Sequence, residues 1–137
     1  MAGDPTIEPE LFAAARIVQD NAHVPYSRFP VGAALRTPSG SVFVGCNVEN
    51  AAYPEGTCAE AGAIAAMVAA GERQIEALVT VCEGEALGTC CGGCRQKIRE
   101  FATDGTMVHN AGPDGVRKSF SMAELLPDSF GPEHLSG

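Results

Sequence analysis

The chain has 137 residues, 45% of them hydrophobic, with 17 Asp+Glu against 9 Lys+Arg and a formal net charge of -8 at pH 7. That length suits one domain, which buries roughly two-thirds of its unfolded surface without a disulfide or metal as its main staple, and it excludes a second large domain. The acidity repels phosphate backbones and anionic lipid, so nucleic-acid and membrane partners are disfavoured while a small neutral substrate is not.

Residues 1–10 carry Asp4, Glu8 and Glu10 and no basic residue ahead of an apolar run, unlike a secretory signal or a transit peptide. Residues 8–21 predict a first helix, because Leu11, Ala14, Ala15 and Val18 recur at helical spacing and Pro9 suits an early helical position. Pro25, Tyr26 and Ser27 break it, and 31–37 and 41–48 follow as two strands of a hairpin turning at Pro38, Ser39 and Gly40. An Ala-rich helix over 58–70 is stopped by Gly71. It is apolar almost all round, which implies that its uncovered face is buried at a subunit contact. The apolar run 75–81 suits a buried, parallel strand, and 84–89 the loop leaving it. A third helix over 91–101, strands at 107–109 and 116–120, and a helical turn at 122–126 complete the chain. The predicted order is αββαβαββ with a helical tail, in a single domain over 1–137 with an ordered core of about 8–130.

The six cysteines, in a chain with no export signal, read as reduced thiols or metal ligands of a cytoplasmic protein. Cys58 stands at one predicted helix start and Cys91-Gly92-Gly93-Cys94 at another. A thiolate there is stabilised by unpaired backbone N–H groups and the positive end of the helix dipole. Three sulfurs fill three of zinc's four tetrahedral positions and leave the last for water, the pattern of a catalytic rather than a structural site. Glu60, in the first turn after Cys58, is placed to take a proton from that water and hand it to a leaving group. Hydrolysis at an amidine-like ring carbon requires protons at both a ring nitrogen and the departing ammonia, and one mobile carboxyl group can shuttle them. Cys46 and Cys82 fall in predicted strands and read as core, while His23, His109 and His134 stand apart from any motif and read as non-catalytic.

C-A-E at 58–60 followed by C-x-x-C-R-Q at 91–96 resembles the signature of the zinc-dependent nucleoside deaminases. P-Y-S-R-F-P-V-G-A-A-L at 25–35, G-C-N-V-E-N-A-A-Y at 45–53 and E-L-L-P-D-S-F at 124–130 narrow the resemblance to the small homotetrameric cytidine deaminases, over nearly the whole chain. The resemblance implies a three-layer α/β/α fold around a five-stranded mixed sheet, with zinc held by Cys58, Cys91 and Cys94 and Glu60 as proton shuttle. The implied activity converts cytidine or deoxycytidine to the uridine nucleoside and ammonia in pyrimidine salvage. By the same matching, Phe29 stacks on the pyrimidine, Ala59 offers backbone groups to the base, Asn47 and Glu49 hydrogen-bond the ribose 3'-hydroxyl, and Tyr53 shapes the pocket. Phe130 is implied to complete a neighbouring subunit's site in a homotetramer. Independently, Asn47 and Glu49 alternate with Val48 and so share one side of an extended segment.

Two positions depart from the family pattern: Cys90 stands where proline commonly precedes the CxxC, and Ala61 where arginine commonly follows the glutamate. Loss of the proline is expected to loosen the start of the helix and offers a competing thiol, although the CxxC spacing favours Cys91 as ligand. Loss of the arginine leaves three thiolates around a divalent ion short of a cation, and Arg95, next after Cys94, is the expected donor to a cysteine sulfur. Two other functions fit less well. A deaminase of a modified cytosine nucleoside antibiotic is disfavoured by the intact Asn47 and Glu49 pair, and a zinc-binding scaffold without turnover is disfavoured by Glu60.

Overall fold

The computed structural model describes residues 2–136. Helix α1 (Pro9–Gln19) leads to strands β1 (Val31–Arg36) and β2 (Val42–Cys46), helix α2 (Ala59–Ala69) and strand β3 (Ala77–Cys82). Helix α3 (Gly92–Phe101), strands β4 (Met107–Gly112) and β5 (Gly115–Ser121) and the single-turn helix α4 (Met122–Leu125) follow. This is the predicted element order, with two short 3-10 turns added at Tyr53–Glu55 and Pro132–His134. Apolar periodicity carries no signal for such one-turn segments, which proline at their first positions initiates. Packing also reaches outside 8–130, since Asp4 bridges Val116 of β5.

The strands form one five-stranded sheet in the order β2-β1-β3-β4-β5. β3 and β4 run parallel, and the other neighbouring pairs are antiparallel. A parallel pair needs a crossover, which α3 supplies. β3, read from its continuous apolar run, is buried along its whole length because both sheet faces are covered there. On one face Leu11 and Ala15 of α1 pack with Ala34, Ala77, Val79 and Val81. On the other, Ala63, Ile64 and Met67 of α2, Ile98 of α3 and Leu125 of α4 pack with Ala33, Leu35, Leu78 and Val108. The resulting three layers, α/β/α, are those the resemblance implied. α2 buries Ala63, Ile64 and Met67 but leaves Ala65 and Ala69 exposed in the single chain. Among the described residues no helix is long and apolar enough to cross a membrane.

One close approach fixes where α2 begins. A Cβ on Gly45 of β2 would lie 2.4 Å from both the Ala59 carbonyl oxygen and the Ala63 nitrogen, so the helix backbone rests directly on the strand. Gly45→Ala is expected to cost about 1–3 kcal/mol through overpacking. In thermal denaturation this appears as a Tm lowered by at least about 4 °C. An unchanged Tm would show that the strand and helix can separate freely.

Candidate metal centre and active site

The site forms where two helices begin beside the C-terminal end of β3. Cys58 is the N-cap residue of α2 and Cys91 that of α3, both in extended backbone conformation and neither capping its helix through the side chain. Cys94 falls in the first turn of α3. Folding brings the three Sγ atoms within 4.8 Å of one another, with Cys58 and Cys91 3.7 Å apart. Two helix N-termini therefore direct their free N–H groups and partial positive charge at one cluster of thiols. Burial pushes the Cys58 and Cys94 thiols up from their ordinary value. At Cys91 burial acts in the same direction but is outweighed by hydrogen bonds from the Cys94 backbone and the neighbouring thiols, which hold it below the ordinary value. Three soft sulfur donors on one side, with the other side open to a cavity, form a donor set that suits zinc with one position left free.

The adjoining cavity, about 430 Å³, has the volume of a small-molecule site. Phe29, Asn47, Glu49, Tyr53, Cys58, Ala59, Glu60 and Cys91 all meet at its wall. Cys94 lies buried in the thiol cluster just behind. Glu60, the second residue of α2, is only 5% exposed, and the contact between Gly45 and Ala59 sets the depth of its turn. Phe130 stands elsewhere: it is 56% exposed and stacked on His134 with ring centroids 5.0 Å apart, outside this chain's own cavity.

The pair Asn47 and Glu49 has a second task that alternation did not reveal. Asn47 Oδ1 accepts from the Val31 N–H at 2.9 Å and its Nδ2 donates to the Phe29 carbonyl at 3.0 Å, tying the Phe29 segment to the end of β2. Glu49 Oε1 accepts from the Ser27 and Tyr26 N–H groups at 3.0 Å each. Hydrogen bonds from Ser27, with that of Tyr26, hold the Glu49 carboxyl below the usual carboxylate range. Both residues thus shape the rim while retaining hydrogen-bonding capacity for a ligand.

Sequence reasoning missed Thr80, Gly88 and Thr89, which also line the cavity. Cys82, read as core, is buried and forms part of the wall as well. Hydropathy cannot separate these roles; the available signal was their place at and just beyond the C-terminal end of a strand that precedes a crossover helix. The three histidines do not line the cavity. His109 lies on β4, paired with Ser119 at 2.7 Å, and burial lowers its pKa.

At the two unusual positions the structure corrects one expectation. Arg95 does not donate to a cysteine sulfur: Nε donates to the Cys90 carbonyl at 2.9 Å, Nη1 to the Leu125 carbonyl at 2.9 Å and Nη2 to Thr89 Oγ1 at 3.1 Å. Oxygen is the stronger acceptor, and the planar fork of guanidinium donors matches three oxygens spread over two segments. Arg95 thereby clamps the start of α3, where a proline would have stiffened the chain, onto the end of α4. Cys90 is buried with its sulfur toward Asn110 Nδ2 at 3.8 Å, and it is not a member of the three-thiol cluster. Arg95→Gln is expected to lose about 1.5–3 kcal/mol in urea unfolding, the usual contribution of hydrogen bonds to a charged group. It should also release zinc at a lower chelator concentration, whereas wild-type values in both measurements would show that the clamp is dispensable.

Comparison with known proteins agrees with this arrangement. Residues 6–110 match the family described as the cytidine and deoxycytidylate deaminase zinc-binding region. The cytidine deaminase of Sporosarcina psychrophila is 40% identical over 127 residues, covering 93% of this chain and 93% of that protein. The cytidine deaminase of Mycobacterium tuberculosis strain H37Rv is 38% identical over 114 residues, or 83% of this chain and 82% of its own. Among solved structures, the cytidine deaminase from Burkholderia pseudomallei is similar with a TM-score of 0.84 at 40% identity, covering 91% of this chain and 100% of that chain. The crystal structure of the Mycobacterium tuberculosis enzyme has a TM-score of 0.77 at 36% identity, covering 90% and 96% respectively. Because the match spans both cysteine-bearing helix starts and the relatives align along most of their length, the chain belongs to the cytidine and deoxycytidylate deaminase family.

Proposed function

We propose that this chain hydrolyses the 4-amino group of cytidine and deoxycytidine, giving the uridine nucleoside and ammonia, as a cytoplasmic step of pyrimidine salvage. One observation carries the reading: a buried carboxyl group, Glu60, lies at the wall of a cavity headed by three convergent thiols. Zinc, when held by Cys58, Cys91 and Cys94, supplies a Lewis acid that makes water a nucleophile at neutral pH. Glu60 accepts one proton from the attacking water and passes it to the ring nitrogen as oxygen bonds to the ring carbon, then takes the remaining hydroxyl proton and passes it to the amine as the carbonyl forms and ammonia leaves. The bond from the ring carbon to oxygen forms first, across the ring carbon–nitrogen double bond, and the bond to the amine nitrogen breaks afterwards. Phe29 offers a ring to the pyrimidine face, and Ala59, the first residue of α2, offers backbone groups to the base. Asn47 and Glu49 hold the ribose with the capacity left free by the rim contacts, and Tyr53 narrows the opening. The net charge of -8 favours a neutral nucleoside over a polynucleotide. Loss of cytidine ultraviolet absorbance on adding the zinc-loaded protein tests the reading, and zinc without turnover on any cytosine nucleoside would overturn it.

The active form in this reading is a homotetramer in which Phe130 completes the site of a neighbour, and the whole chain acts as one domain. The exposure of Phe130 and its place outside its own cavity support that assembly. Sedimentation should show a tetramer, and Phe130→Ala should raise KM at least about fivefold, the loss of one aromatic contact. A fully active monomer, or an unchanged KM, would contradict it.

A further inference from the structure

Residues 84–89 leave the end of β3 and reach the cavity at Gly88 and Thr89. Among the described residues no backbone-to-backbone hydrogen bond involves this loop, so side chains hold it. Arg95 takes Thr89 Oγ1 at one end. At the other, Arg117 Nη1 donates to the Gly84 carbonyl at 2.7 Å and to the Ala86 carbonyl at 3.3 Å. Between them the loop backbone rests on the cavity wall, since a Cβ on Gly88 would lie 2.2 Å from Cys82 Sγ.

Arg117 reaches the loop through an irregularity in the sheet. Val116 of β5 pairs with Ala111 and Lys118 with Asn110, which leaves Arg117 as the extra residue of a β-bulge. A bulge re-aims its side chain, and bulges are over-represented next to active sites. The guanidinium passes over Gly112 of β4, where a Cβ would lie 2.2 Å from Cζ and 2.5 Å from Nη2. The side chain is 6% exposed, its Nε has no hydrogen-bond partner among the described residues, and the Asp114 carboxylate stands 3.9 Å away. A buried charge paired so loosely is a costly way to stabilise a strand, so the two loop carbonyls are what this position uses.

We infer that Arg117 is a positioning residue: from the bulge of β5 it holds residues 84–86, and with them the Gly88 and Thr89 stretch of the cavity wall, in the form that binds substrate. Arg117 itself does not line the cavity. When the loop is released, the fraction of chains with a formed wall falls and the apparent affinity falls by the same factor, while a bound substrate restores the wall and with it the chemical step. This inference rests on the cavity being the cytidine site.

The test uses the zinc-loaded full chain, with kcat and KM for cytidine and the rate at which a glutamate-specific protease cuts after Glu85 as readouts. Arg117→Met is expected to raise KM about tenfold with kcat within about twofold of wild type. A merely structural residue would do the opposite, lowering kcat through loss of folded enzyme at an unchanged KM. Glu85 lies between the two held carbonyls, so it should be cut at least about fivefold faster, with cutting elsewhere unchanged. Gly112→Ala keeps Arg117 but displaces its guanidinium, so it should reproduce both effects, and it decides the matter if Arg117→Met does not fold. An unchanged KM, a loss of kcat alone, or a wild-type cutting rate at Glu85 in either variant overturns the inference. Failure of the underlying reading looks different, since the wild-type protein would then not turn over cytidine, whatever the loop does.

Discussion

Glu60→Gln is expected to keep its zinc and lose at least about a hundredfold in kcat, the lower end of what general acid-base catalysis contributes. Glutamine has nearly the same shape, so the packing of the first turn of α2 on Gly45 is undisturbed. What it lacks is a group that accepts a proton at one moment and returns it at the next. The wall of the cavity is otherwise intact, so KM should move far less than kcat, the signature of an interaction made in the transition state. Absorbance kinetics paired with metal analysis check both parts. Near-normal turnover would end the assignment of Glu60 as shuttle.

The second large effect is expected at the metal. Cys94→Ser should weaken zinc binding by at least about a hundredfold, more than the 10–100-fold that follows loss of an outer hydrogen-bond partner, and should abolish turnover with it. Cys94 is the buried member of the cluster, so its loss leaves Cys58 and Cys91, both exposed, to hold the ion from one side. Hydroxyl oxygen is a poor substitute for a soft thiolate ligand. Cys90→Ala provides the contrast: it removes a thiol adjacent in sequence to Cys91 yet outside the cluster, and it should retain its zinc. Competition with a chromophoric chelator measures all of these, and full zinc retention in Cys94→Ser would show that a different ligand set is in use.

Much of this was legible before folding because it depends on neighbours in the chain. Helix periodicity around Leu11 and Ala15, the glycine stop after the Ala-rich run and the unbroken apolar run of β3 are local patterns, and the structure reproduces each within a few residues. Local spacing also placed Cys58, Glu60, Cys91 and Cys94 at helix starts, where backbone N–H groups are unpaired, so the chemistry of the site could be read from residue types and positions. The family pattern supplied five further lining positions of the cavity, Phe29, Asn47, Glu49, Tyr53 and Ala59.

Direction and partnership belonged to the tertiary structure. Nothing in the chain near Arg95 shows that Leu125, thirty residues on, presents the carbonyl that draws its guanidinium away from the sulfurs. The same holds for Cys90, which faces Asn110 on a strand that reaches it only through the β3-α3-β4 crossover. Asn47 and Glu49 acquire their rim contacts because β2 returns alongside the segment that carries Phe29. Sequence alone therefore determined which groups this protein possesses, the order of its elements and the chemistry those groups can perform. Only the folded sheet decided which groups meet, because hydrogen bonds and thiol clusters form between atoms a few ångströms apart, whatever their separation along the chain.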